Sequence, residues 1–419
     1  MDPDNGFTLL SSPHKMILLF LFSRLLIPMD HTQTDHLKAY GLTYWVLEQG
    51  LDAEWLLNYR GGSFLLPSLD GIKRRANVMG VRWEEISEDQ VNDIYAEIER
   101  GNMERVLLEK APRIAVYIPE FEGPWDDAVT LALEYAEIPY DRIWDPEVLN
   151  GDLRKYDWLH LHHEDFTGQF GKFYLSYRNA PWYKKVEEVN RKTARRLGYR
   201  KVWQMKHDVA RRIREYVENG GFLFAMCSAP ITLDIALAYL DVDIVPEQID
   251  GDGIDPAYRS KVDFSRTFAF TNFNIIPQIA VYEHSDVDVT REAAIRGKKT
   301  RFVLKEFYAK RDILPTILVQ DHTRFIKEFL GQDTGFRRDR IKPGVVILAD
   351  VPGTDEVKYL FGTLGKGTFS FLGGHDPEDY AHYIGDPPTI LELHKHSPGY
   401  RLILNNILFP AARKKHLKT

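Results

Sequence analysis

The sequence contains very little cysteine. Cys227 is the only one in 419 residues, which excludes an internal disulfide and any zinc or iron–sulfur site built from cysteines. Positive charge is not in excess either: 54 Lys and Arg face 61 Asp and Glu, a net charge of −7, and this balance argues against a nucleic-acid partner. There is no complete Walker A motif and no G-x-G-x-x-G after a predicted strand. We therefore expect no nucleotide and assign no cofactor.

Long apolar runs are also missing. Residues 16–22 follow Lys15 and resemble the apolar part of a short signal peptide, but no small-x-small cleavage site follows and Arg24 interrupts the run. The run is too short to cross a bilayer, so no membrane span is expected. We treat residues 1–24 as a signal-like or disordered N-terminus. The compartment, cytoplasmic or exported, and the oligomeric state stay open.

What the chain does have is an alternation of strand and helix patterns over most of its length. Its 44% hydrophobic content predicts a well-filled interior, and its length exceeds that of one ordinary core. We predict an N-terminal α/β lobe of parallel strands at 25–111 and a larger α/β domain at 112–419, with insertions near 168–200 and 241–340. The predicted class is α/β with an open, doubly wound parallel sheet, whose ligands bind at the carboxyl ends of the strands.

Cys227 lies at a predicted break between a strand and a helix. The apolar run 222–226 precedes it, and a helical pattern at 231–240 follows. A nucleophile on such a turn projects from the sheet edge, and the N–H groups of the following helix favour a thiolate. The other interpretation is a buried small apolar residue, which is what most lone cysteines are.

Two more clusters of reactive side chains follow predicted strands. His375 comes after the apolar strand 367–372, and the run 160–165 (His-Leu-His-His-Glu-Asp) ends another. If these strands are parallel, Cys227, His375 and His163 or Glu164 converge on one edge. A thiol, an imidazole and a carboxylate together are the usual arrangement for attack on an acyl carbon.

Alternatives exist for both clusters. Asp376 can cap a following helix, which would leave His375 a structural role. The run 160–165 offers imidazoles and carboxylates that suit zinc, iron or manganese. On a strand, however, only His160 and His162 share a face, and we expect one of them in the core. We assign no metal ligand from this pattern.

Several segments carry a family resemblance that covers nearly the whole chain. The Cys227 turn and the downstream Gly-His-Asp-Pro-Glu resemble the class I glutamine amidotransferase-like superfamily, including its ThuA-like branch. A closer resemblance is to an uncharacterised bacterial family often labelled asparagine synthetase B. The segments that carry this closer match are 26–30, 36–41, 56–64, 156–168, 224–229, 373–380 and 397–406.

The resemblance implies a flavodoxin-like sheet with a cysteine nucleophile and a histidine base. A true asparagine synthetase B has a cysteine after the initiator Met and a Ser-Gly-Gly-x-Asp-Ser loop, whereas this chain has Asp2 and no such loop. The amidotransferase turn usually has glycines where Ala225 and Ala229 stand, and its acid lies two residues after the histidine, whereas Glu378 lies three after His375. The acids of the 163–168 loop occupy the place of the superfamily's oxyanion loop.

We therefore predict a cysteine-dependent hydrolase or amide-transfer enzyme for a small polar substrate. Cys227 is the predicted nucleophile, His375 the base and Glu378 an orienting acid. The predicted substrate-binding residues are Arg60, His162, His163, Glu164, Thr167, Gly168, Ser228 and Gly374. The alternatives are a non-catalytic ligand- or carbohydrate-binding protein, suggested by the aromatic residues of 166–183, and a metal-dependent enzyme built on 160–165.

Overall fold

The structure is a computed structural model that describes residues 23–121 and 123–412. The signal-like run 16–22 lies outside these residues. No helix among the described residues is both long and apolar enough to cross a membrane. The described chain forms a mixed α/β fold with two sheets, one in each lobe.

The first lobe contains a five-stranded sheet in the order β4-β1-β3-β2-β5, and each neighbouring pair is antiparallel. The prediction of parallel strands here was wrong, because β2 and β3 are joined directly by the turn 58–62 and therefore form a hairpin. The strands are β1 (Arg24–Ile27), β2 (Ala53–Leu57), β3 (Ser63–Pro67), β4 (Glu84–Ile86) and β5 (Glu104–Leu108), and the helices are α1 (His36–Glu48), α2 (Asp70–Met79) and α3 (Glu88–Arg100).

The second lobe contains a ten-stranded sheet that is half parallel. Its strands are β6 (Ile114–Tyr117), β7 (Asp141–Ile143), β8 (Trp158–Leu161), β9 (Phe222–Met226), β10 (Arg301–Leu304), β11 (Phe325–Lys327), β12 (Phe336–Arg337), β13 (Val346–Asp350), β14 (Glu356–Leu364) and β15 (Gly367–Leu372). The order is β11-β10-β13-β14-β15-β9-β8-β6-β7, with β12 beside β14. From β15 to β7 all neighbours are parallel, and from β11 to β15 they are antiparallel.

The helices of the second lobe follow the expected apolar periodicity where they are long. In the longest helix, Val202–Glu218, the side chains of Val209, Ile213 and Val217 lie four residues apart and are fully buried. This spacing gives the helix one apolar face against the sheet. The helices are α4 (Ala128–Tyr135), α5 (Asp145–Leu149), α6 (Tyr174–Tyr177), α7 (Pro181–Arg196), α8 (Val202–Glu218), α9 (Ala229–Ala238), α10 (Glu247–Asp250), α11 (Tyr258–Lys261), α12 (Thr290–Arg296), α13 (Ile313–Leu318) and α14 (Pro398–Leu408).

The two lobes share one hydrophobic core. Trp55 of β2 and Tyr40 of α1 belong to the same buried cluster as Tyr400 and Leu404 of α14. The C-terminal helix thus completes the core of the first lobe. The segment 241–340 was predicted as an insertion, but it also supplies β10, β11 and β12, which extend the main sheet.

Candidate functional site

Cys227 occupies the sharp turn that the sequence indicated. Strand β9 ends at Met226, helix α9 begins at Ala229, and Cys227 between them has φ of +50°. A side chain other than glycine is uncommon in this left-handed region, and such strain persists only where the surroundings enforce it. The thiol is buried, with 5% of the residue exposed.

Two loops hold the Cys227 turn in place. The amide nitrogen of Cys227 donates to the carbonyl oxygen of Gly374 over 3.2 Å, and the amide nitrogen of Gln332 donates to Sγ over 3.4 Å. Gly374 has φ of +93°, and a Cβ there would lie 2.7 Å from the carbonyl oxygen of Phe329. The backbone therefore fixes His375, the next residue, beside the thiol.

His375 is a buried neighbour of the thiol. One of its ring nitrogens lies within 4.8 Å of Sγ of Cys227, and its Nε2 lies 3.9 Å from Oδ1 of Asp126. Burial by itself would lower the pKa of His375, but Asp126 and Cys227 outweigh burial and raise that pKa to about 10. His375 is thus an imidazolium at neutral pH, which suits a thiolate–imidazolium pair and a proton donor more than a resting base.

Asp126 lies on the other side of His375. Its carboxylate is also 2.9 Å from Nε2 of His382. Burial would raise the pKa of Asp126, but the two imidazoles lower it, so the group is a carboxylate at neutral pH. Asp126 was not predicted as a site residue from the sequence. It lies in the loop between β6 and α4, next to Asp127 at the start of α4.

His162 and His163 come directly after β8, which ends at Leu161. Their ring centroids are 4.1 Å apart, and each centroid lies 4.8 Å from that of His375. Burial lowers the pKa of His162 to about 4 although Asp127 opposes this shift, so the ring is neutral. His160 stays in the core against Phe224, 5.3 Å between centroids, as expected for one of the alternating pair.

A cavity of about 400 Å³ opens beside the histidines. One wall is aromatic, and the other carries His163, Glu164 and Lys206. Burial raises the pKa of Glu164 to about 8, with Lys206 opposing the shift, so Glu164 is a neutral acid at pH 7 and can donate a hydrogen bond. A neutral acid at this position does not repel a developing negative charge.

The aromatic wall of the cavity is formed by residues that also pack on one another. Trp125 lies 5.7 Å from Phe173 and 5.3 Å from Trp182 between ring centroids, and all three line the cavity. Cys227 and His375 are not among the residues that line this cavity, whereas His162 and His163, whose rings contact His375, are.

Glu378 does not take the predicted place beside His375. Its Oε2 is 3.2 Å from Nδ1 of His394 instead. The cause is local: Asp376 accepts a 2.8 Å hydrogen bond from the amide of Glu378, and this turn directs the Glu378 side chain away. The carboxylate beside His375 is Asp126 instead.

Arg60 and Thr167 also lie apart from the thiol. Arg60 is held by Asp30 at 2.7 Å and by Glu84 at 2.8 Å, within the first lobe. The amide of Thr167 donates to the carboxylate of Asp165 over 2.8 Å, so Thr167 stabilises the local turn at 165–167.

Ser228 and Gly168, which were also predicted to bind substrate, occupy constrained backbone positions near the site. Ser228 is 1% exposed and occupies the N-cap position of α9 beside Cys227, without a side-chain capping hydrogen bond. Gly168 has φ of +81° and lies so close to Trp203 that a Cβ would meet its Cα at 2.8 Å. Gly168 also lines the cavity.

The loop 328–334 covers the thiol and was not predicted from the sequence. Its Leu330 carbonyl accepts from the amide of His375, and its Asp333 carbonyl accepts from Gly374, each over 2.8 Å. The carboxyl of Asp333 is fully buried, and burial raises its pKa well above the usual range. Nothing in the local sequence predicts this contact, which joins residues more than 40 positions apart.

No family model and no curated protein matches the sequence. Solved structures with some similarity include Cytoplasmic Protein STM3548 from Salmonella typhimurium, at 11% identity and a TM-score of 0.34, covering 72% of this chain and 100% of that chain. Another is Cytoplasmic Protein STM1381 from Salmonella typhimurium LT2, at 13% identity and a TM-score of 0.35, covering 72% of this chain and 100% of that chain.

A third is the exo-β-1,4-mannosidase Op5Man5 from Opitutaceae bacterium strain TAV5, at 13% identity and a TM-score of 0.26, covering 67% of this chain. The match spans only 33% of the mannosidase. Similarity at these TM-scores carries no information on the activity of this chain.

Proposed function

We propose that the chain is a cysteine-dependent hydrolase or amide-transfer enzyme that acts on a small polar substrate. The observation that carries this proposal is the left-handed backbone of Cys227 between β9 and α9, with a ring nitrogen of His375 within 4.8 Å of Sγ. In this proposal Cys227 is the nucleophile, His375 moves the proton and Asp126 keeps His375 charged.

The strand order supports the superfamily part of the proposal. In chain order the five parallel strands are β6, β7, β8, β9 and β15, and across the sheet they run β7-β6-β8-β9-β15. This is the 2-1-3-4-5 order of flavodoxin-like sheets. We therefore propose a flavodoxin-like core of the class I glutamine amidotransferase-like, ThuA-like kind. The label asparagine synthetase B is not proposed as an activity, because the motifs of that enzyme are missing.

In the proposed reaction Cys227 reacts as the thiolate beside the imidazolium of His375. Sγ of Cys227 forms a bond to the substrate's carbonyl carbon while the carbonyl π electrons move to oxygen. The C–N or C–O bond then breaks as His375 gives its proton to the leaving group, and a thioester remains. Water or an acceptor amine attacks the thioester and passes a proton to His375. Cys227 leaves again as the thiolate.

The charge that develops on the substrate oxygen has two candidate partners. At the N-terminus of α9 the amide of Ala229 already donates to the carbonyl oxygen of His162 over 3.2 Å, and Pro230 has no N–H, so the helix contributes through its dipole. Glu164 is neutral at pH 7 and lines the cavity, so it can donate to a carbonyl or carboxyl group. A cavity of about 400 Å³ suits a small substrate.

An activated ester tests the proposal without knowledge of the substrate. Chelator-treated protein is mixed with p-nitrophenyl acetate, and we expect a burst of one nitrophenol per chain with the acetyl group on Cys227 by peptide mass spectrometry. Cys227→Ser and His375→Gln should lose the burst, while His394→Gln, which changes a histidine outside the site, should keep it. Slow acetylation spread over lysines, equal in the wild type and Cys227→Ser, would contradict the proposal.

A second candidate is a non-catalytic binding protein of the same fold. The observation that favours it is the aromatic wall of the cavity, since Trp125, Phe173 and Trp182 present ring faces suited to a sugar or another planar ligand. Quenching of tryptophan fluorescence by a sugar panel tests it. Saturable quenching in Cys227→Ser, with no ester burst in the wild type, would favour this candidate over the enzyme.

A further inference from the structure

Four side chains that can ligate a metal face one another around the thiol. His162 and His163 come from the end of β8, Cys227 from the turn before α9, and His375 from the turn after β15. One ligand atom from each lies within 4.8 Å of all the others. The four residues come from three segments that are far apart in sequence, 162–163, 227 and 375, so the sheet edge itself assembles the set.

The first two imidazoles have a second partner behind them. Nδ1 of His162 lies 3.0 Å from the carboxylate of Asp127, and its Nε2 is buried with no hydrogen bond. Nε2 of His163 contacts the carbonyl oxygen of Asp126 at 2.7 Å, which leaves Nδ1 as the other ring atom. A carboxylate or carbonyl behind a ring nitrogen is the usual support of a metal-bound histidine, because it fixes the tautomer and the ring orientation.

His375 has no such hydrogen-bonded support. Its Nε2 is buried without a hydrogen bond, and the nearest carboxylate oxygen of Asp126 lies 3.9 Å away, too far for a hydrogen bond. An unsatisfied polar atom in the interior normally carries a free-energy cost. The cluster holds such atoms on both His162 and His375, and a bound cation would satisfy the rings that surround the thiol.

The donor set selects the kind of cation. A thiolate with three imidazoles suits zinc and the other borderline divalent ions, whereas magnesium and calcium require oxygen ligands. If all four atoms were as far apart as 4.8 Å, each would have to move inward by only about 0.8 Å to reach tetrahedral zinc bond lengths. The carboxylates of Asp126 and Asp127 offset the charge of the ion.

We propose that Cys227, His162, His163 and His375 bind one zinc-type divalent cation. The bound ion occupies the sulfur lone pair and the imidazole that covalent chemistry needs, so metal binding and thiol reactivity exclude each other. The binding itself does not depend on the proposed function. It also differs from the metal site considered in the sequence, because only two residues of 160–165 take part and the single cysteine is a ligand.

Cobalt reports on the ligands directly. Chelator-treated full-length protein is titrated with Co²⁺ and then with Zn²⁺. We expect one equivalent of Co²⁺ to give the intense visible bands of a tetrahedral ion and a near-ultraviolet thiolate-to-cobalt band, both removed by Zn²⁺. Cys227→Ser should lose the thiolate band, Asp127→Asn should bind about 10- to 100-fold more weakly, and His394→Asn should match the wild type.

Alkylation gives a second measurement that needs no variant. At Zn²⁺ concentrations about 100 times the dissociation constant, the rate of iodoacetamide labelling of Cys227 should fall about 100-fold and recover with chelator. A spectrum without a thiolate band, together with labelling that Zn²⁺ leaves unchanged, would overturn the proposal. If metal-free protein still gave the ester burst in that case, the proposed function would stand and only the metal site would be withdrawn. A metal site in a protein that gives no ester burst would instead remove the proposed function.

Discussion

The amide of Cys227 donates a 3.2 Å hydrogen bond to the carbonyl oxygen of Gly374. This bond joins the turn after β9 to the turn after β15 and sets the position of His375 relative to the thiol. The two strands are parallel neighbours, with Met226 beside Leu372. The thiol and the imidazole are therefore placed by the sheet, and the loops only adjust their distance.

Gly374 should be the most sensitive backbone position of the site. Gly374→Ala adds a Cβ 2.7 Å from the Phe329 carbonyl oxygen at φ of +93°, and we expect a loss of about 3 kcal/mol or more in the free energy of unfolding. Gly251→Ala is the matched control, since Gly251 has the same φ of +93° and open space around it; its cost should be about 1 kcal/mol. Equal costs in urea unfolding would mean that the close contact does not exist.

Arg401 should be essential for joining the lobes. It is fully buried in α14 and donates to the carbonyl oxygens of Met29 at 3.1 Å and Gly61 at 2.8 Å. Nη1 of Arg401 also lies 3.7 Å from the buried carboxylate of Asp321. Arg401→Met leaves all three groups without their cation, and we expect a loss of about 3–5 kcal/mol. Arg211→Met, which removes an exposed ion pair with Glu215, should cost about 0.5 kcal/mol. A mild effect of Arg401→Met on the unfolding midpoint would contradict this account of the shared core.

Glu164 should make the stability of the protein fall as pH rises. Its folded pKa, raised by burial to about 8, exceeds that of an unfolded glutamate, so between about pH 4.5 and 8 the unfolded chain loses a proton that the folded chain keeps. The wild type should therefore lose stability relative to Glu164→Gln across this window, by on the order of a few kcal/mol, and the difference should then level off.

Chemical unfolding of metal-free wild type and Glu164→Gln at several pH values checks this. Glu54→Gln is the comparison, because Glu54 is paired with Arg24 in the first lobe and lies outside the cavity. A stability difference between wild type and Glu164→Gln that is flat from pH 5 to pH 8 would show that Glu164 ionises in the folded protein as it does in the unfolded chain.

The sequence predicted the features of the site that depend on local pattern. The apolar run before Cys227 and the small residues after it specify a strand, a tight turn and a helix, and the structure has all three. His375, His162 and His163 follow strands, so the rule that ligands meet at strand ends placed them together.

The features that the sequence did not predict depend on contacts between distant segments. The antiparallel order of the first lobe depends on which strands pair, which the local periodicity does not specify. Glu378 lies near His375 in sequence, yet the Asp376 turn directs it to His394. Asp126, in contrast, is 249 positions from His375 in sequence but lies beside it in the fold, 3.9 Å from its Nε2.

The rate at which iodoacetamide labels Cys227 in metal-free protein at pH 7 tests the central claim most directly. His375, with its pKa raised to about 10, should stabilise the thiolate, so the wild type should react about tenfold faster than His375→Gln. Because both proteins bury the thiol alike, the comparison separates activation from access. His207→Gln, a change at a buried histidine packed on Trp203, should react like the wild type. Equal rates in the wild type and a folded His375→Gln would show that Cys227 is an ordinary buried thiol.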